Sequence, residues 1–63
     1  MTQKELLYVE DAVEHEKSII NLCNDFLNEL EDNNLRDFVT NQIDSHEEMK
    51  SKLLSLLEEE ANG

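Results

Sequence analysis

The chain contains no proline, and its single glycine is the last of 63 residues. Nothing in the interior therefore breaks a helix by backbone chemistry alone. Tryptophan is absent, and aromatic residues are only Tyr8, Phe26 and Phe38. The one cysteine, Cys23, cannot form an intrachain disulfide, which excludes a disulfide-stapled scaffold and fits a reducing compartment. Bases are scarce as well: five Lys and Arg stand against sixteen Asp and Glu, for a net charge of −11. Such a chain lacks the basic footprint that nucleic acid or an anionic membrane surface requires. No apolar run approaches the ~20 residues of a membrane span. Met1-Thr2-Gln3-Lys4-Glu5 has no apolar core of signal-peptide length, so export by a cleaved signal is not expected.

What is present is helical periodicity on both sides of one polar run, Glu31-Asp32-Asn33-Asn34. Thr2-Gln3-Lys4-Glu5 reads as a capping box that opens a first helix running from about residue 3 to about 31. Leu6, Val9, Val13, Glu16, Ile20, Cys23, Leu27 and Leu30 recur in alternating steps of three and four, the spacing of a packed seam. Ala12, Ile19 and Phe26 widen that stripe, and His15 lies with Tyr8 and Leu22 on its flank. A turn at Asn33-Asn34, with either asparagine as cap, leads to a second helix over about 35–60. Its seam reads Leu35, Val39, Gln42, His46, Met49, Leu53 and Leu56, widened by Phe38, Leu54 and Leu57. Glu58-Glu59-Glu60 opposes the helix dipole, so fraying is expected there, with disorder from Ala61 to Gly63.

The expected architecture is all-α: residues 1–63 form one antiparallel two-helix hairpin. Below ~70–80 residues a core seldom supplies more than ~3–5 kcal/mol, so a partner chain or a metal must supplement it. Two hairpins pairing as a homodimer would make a four-helix bundle.

Three polar residues interrupt the seams: Glu16, Gln42 and His46. Folding at residue 33 sets Ile20 opposite His46 and Glu16 opposite Met49, which leaves Glu16 and His46 about one turn apart. Carboxylates and imidazoles facing a bundle interior are the donors of di-iron sites, so Glu16 and His46 are the candidate metal ligands, with iron the candidate ion. The duller alternative is a charge-assisted hydrogen bond between them, or a polar contact that sets register. A Glu-x-x-His pair would need an acid at position 43, where Ile43 stands. Cys23 reads as core packing and Met49 as filler. No catalytic triad, phosphate loop or zinc spacing is present, so no enzyme is expected.

Lys4 to Ala12, Glu16-Lys17-Ser18-Ile19-Ile20, Asn34-Leu35-Arg36, and His46 with Met49 together resemble the coat F domain, a family of small ferritin-like proteins related to spore coat protein F. The resemblance spans about Thr2 to Leu57. It implies a ferritin-like helical fold, a structural role in the spore coat or its assembly, other coat-type proteins as partners, and a location in the cytoplasm or spore coat. Of the ligands used by larger ferritin-like relatives, it offers counterparts only for Glu16 and His46.

Overall fold

A computed structural model describes residues 1–62. It contains two helices, α1 (Gln3–Glu29) and α2 (Asn33–Asn62), packed side by side as an antiparallel hairpin. The expected all-α hairpin is what forms; its boundaries and register differ in detail.

α1 begins where the capping box places it. Thr2 is extended, at φ −71° and ψ 163°. Its hydroxyl accepts from the Glu5 amide at 3.1 Å, and its own amide donates to the Glu5 carboxylate at 2.8 Å. Those contacts, the Thr2 amide first and its side chain second, hold the Glu5 carboxyl below its ordinary range. α1 ends at Glu29, two residues short of the expected Glu31, because Leu30 turns extended at φ −88° and ψ 136°.

The turn is Leu30-Glu31-Asp32 rather than Asn33-Asn34. Asp32, not an asparagine, caps α2: its carboxylate accepts from the Leu35 amide at 2.8 Å. No described residue has a positive φ, so the reversal does not call on the left-handed tolerance of asparagine, and both asparagines join the helix. At the far end α2 continues through Ala61 and Asn62, where fraying and disorder were expected; Gly63 lies outside the described residues. There the Glu60 carboxylate accepts from the Met1 ammonium at 2.6 Å. That hydrogen bond, and then the charge of Glu60, raise the Met1 amine above its ordinary range.

Moving the turn toward residue 31 slides the register. Glu16 now stands opposite His46 instead of Met49. The Arg36 guanidinium crosses to α1, donating to the carbonyls of Leu27 at 2.8 Å and Leu30 at 2.9 Å. The Leu27 carbonyl also accepts from the Leu30 amide at 3.2 Å, so Arg36 is a second donor there and caps the end of α1 from α2.

The seam of α1 is the expected one, for all eight of its positions are buried or half-buried. The seam of α2 is not. Arg36, Val39, Ile43, His46, Lys50, Leu53 and Leu57 are the buried or half-buried residues that follow a three-four alternation. Leu35, Met49 and Leu56, placed in the expected seam, are 40%, 49% and 43% exposed. The two rows share Val39, His46 and Leu53. The helix is rotated so that the more polar row faces α1, with Arg36 spent on carbonyls and Lys50 paired to Glu47 at 3.3 Å. Among the described residues only Val13, Ile20 and Val39 are buried.

Candidate functional site

The residues singled out as ligands are brought together. His46 Nδ1 and Glu16 Oε2 lie 2.5 Å apart across the helix interface, with 30% and 16% of the side chains exposed. Either an imidazolium or a neutral ring protonated at Nδ1 donates this bond, so the carboxylate is satisfied in both cases. The expected one-turn separation is replaced by direct contact because of the register slide. Among the described residues no group of three or more His, Cys, Asp or Glu converges in a way that could hold a metal ion. Gln42 is half-buried on the neighbouring turn, and Cys23 is half-buried within the seam.

The larger feature of the molecule is the side it leaves open. On α1, the row Tyr8, Ala12, His15, Ile19, Leu22 and Phe26 runs beside the seam at three-four spacing. On α2, the row Leu35, Phe38, Gln42, Ser45, Met49, Lys52 and Leu56 does the same. In an antiparallel pair with these seams, both rows fall on one side of the hairpin. The structure bears this out near the turn, where Leu22 and Phe26 of α1 and Phe38 and Gln42 of α2 border one apolar depression of about 380 Å³ floored by Cys23 and Val39.

Between Tyr8 and Phe26 and between Leu35 and Leu56 neither row carries an acid; continued to the helix ends, the same spacing reaches Glu5 and Glu29 on α1 and Glu59 on α2. The only cation there, Lys52, pairs with Glu48 at 3.2 Å. On the opposite side of the hairpin the grooves are polar: Lys17, Asn21, Asn24, Glu47 and Lys50 border one of them. Within the two helices, Leu7 and Leu54 are the large apolar residues exposed outside these rows; Met1, ahead of α1, is exposed as well. Among the described residues no helix is long and apolar enough to cross a membrane.

Half of this face was legible. Tyr8, His15 and Leu22 form a flank in the periodicity of α1, but on α2 the spacing predicts Leu35, Gln42, Met49 and Leu56 in the hairpin's inner seam, with Phe38 beside them. Leu54 and Leu57, expected to widen that seam, separate: Leu57 enters the true seam and Leu54 lies on the other side. A scan against protein-family models, a search of curated proteins and a search of solved structures each find no match to this chain.

Proposed function

We propose that this chain is a non-catalytic self-association module: two copies pack their acid-free faces together as a homodimeric four-helix bundle, serving a structural role of the coat F type. The observation that carries the reading is an apolar face free of acids over its middle, on a chain with sixteen acids. Strongly acidic copies approach each other at least cost through the one side without carboxylates. A basic partner would find no carboxylate to attract it there, which favours a second copy.

The surface area points the same way. The hairpin exposes 4914 Å². A compact monomer of 7.4 kDa exposes about 4,200 Å² by size scaling. The excess, roughly 700 Å², is close to the ~800 Å² that each partner contributes to a standard interface. The hairpin is also a rod, 46 by 14 by 12 Å, with a radius of gyration of 14.5 Å against about 11 Å for a compact chain of this length. Pairing along its length makes a bundle of ordinary proportions.

Sedimentation equilibrium at micromolar concentration tests this. The expected mass is twice 7.4 kDa. Leu22→Glu, which places a carboxylate in the face, is expected to weaken the dimer by about a hundredfold or more, as loss of a central apolar anchor does. Leu7→Glu, on the other side, is expected to leave it intact. A single-chain mass at hundreds of micromolar would sink the reading and favour a hairpin that captures a different helical partner.

The contact between Glu16 and His46 supports a second reading, a metal site. One chain supplies two donors, fewer than a di-iron site uses, so iron would have to be held by both copies together. Iron titration followed by calorimetry distinguishes the readings: heat of binding that vanishes in Glu16→Ala and in His46→Ala supports the metal site, and its absence in the wild type removes it.

A further inference from the structure

Resting on the self-association reading, we propose how the two copies lie: turns at opposite ends, with Tyr8 of each copy seated in the depression beside the turn of the other. The argument is one of shape along the acid-free face. Near the turn the face is hollow, bordered by Leu22, Phe26 and Phe38. Near the open end it carries a protruding Tyr8, 61% exposed, whose ring the Lys4 ammonium overhangs at 5.9 Å. Tyr8 and the middle of the hollow are separated by about 24 Å along α1, sixteen residues at 1.5 Å each. A two-fold axis lying across the rods at the level of Glu16 and His46 exchanges these positions.

That axis places α1 over its own copy. Tyr8 then meets the gap between Leu22 and Phe26, and Ile19 meets Ala12. It places α2 over its own copy as well, where Phe38 meets Leu56 and Met49 meets Ser45. Tyr8 enters the hollow, Ile19 falls against Ala12 and Met49 against Ser45, placing large residues against small ones or a recess at these levels. The other two-fold, parallel to the rods, sets both turns at one end. It stacks Phe26 on Phe38 and Leu35, turns hollow toward hollow, and brings the acids Glu29, Glu31 and Asp32 of both copies together. The Tyr8 hydroxyl stays at the rim, where water satisfies it.

The test places a spin label in the turn. The full chain carrying Cys23→Ala and Glu31→Cys is labelled and its dipolar spectrum recorded, with mass measured on the same sample. The expected label separation is near the length of the rod, whose long dimension is 46 Å. A dimer whose labels lie about 20 Å apart, two interhelical spacings, overturns this arrangement and leaves the self-association reading standing. A single-chain mass overturns both. Tyr8→Ala is expected to weaken the dimer about tenfold and Tyr8→Phe to leave it intact, since the seat is apolar. A Tyr8→Ala dimer of unchanged affinity overturns the seat.

Discussion

At the scale of single residues, the contact between Glu16 and His46 is the one polar bond that ties the middle of α1 to the middle of α2. A half-buried carboxylate left without its donor loses a charge-assisted bond and stays partly shielded from water. Glu16→Ala or His46→Ala is therefore expected to lower the unfolding free energy by about 1.5–3 kcal/mol. Replacing both by leucine is expected to be nearly neutral, because well-packed apolar pairs commonly match or exceed such a bridge. Urea denaturation of both singles and the double, at one fixed protein concentration, checks this. A Leu–Leu double as unstable as either single would show that apolar packing does not replace the bridge. Both residues were legible as inward-facing from periodicity, since position 46 belongs to either row that α2 can present. Their direct contact was not legible, because it depends on the register, and the register depends on where three connecting residues begin.

The helix boundaries belong to the next scale. Asp, Asn and Ser rank almost equally as N-caps, so propensity does not choose among Asp32, Asn33 and Asn34. What decides is that α1 stops at Glu29, leaving Leu30, Glu31 and Asp32 to make the reversal. Asp32 is then in place to accept from Leu35, and Arg36, four residues on, reaches the Leu27 and Leu30 carbonyls at the end of α1. Asp32→Ala is expected to cost about 1 kcal/mol and lower the melting temperature by about 4–8 °C. Asn33→Ala and Asn34→Ala, inside the first turn, are expected to leave it unchanged or slightly raised, alanine being the better helix former. Thermal unfolding followed by circular dichroism measures all three. A larger loss at either asparagine than at Asp32 would place the cap where the sequence alone suggests it.

For the whole molecule, charge and shape act together. Two copies, each with a net charge of −11, repel at long range, while the middle of the proposed contact contains no carboxylate. Screening should therefore strengthen association. Raising salt from about 0.05 to 0.5 M shortens the Debye length from over 10 Å to under 5 Å, and the dimer dissociation constant is expected to fall severalfold. Sedimentation across a salt series measures it. A dimer that loosens as salt rises would be held by ion pairs, and its interface would lie on a charged side of the rod.

Composition and periodicity determined a good deal by themselves: two long helices with a single reversal, the inward row of α1, the capping box that starts it, and more apolar surface than one hairpin covers. Tertiary structure alone decided which side of α2 meets α1. Two rows on α2 keep the same three-four spacing and share Val39, His46 and Leu53. The spacing along one helix carries no information about the direction from which its neighbour approaches. The three-residue turn and the hold of Arg36 on the carbonyls of Leu27 and Leu30 set that direction. The greasier row, with Leu35, Met49 and Leu56, is left facing outward.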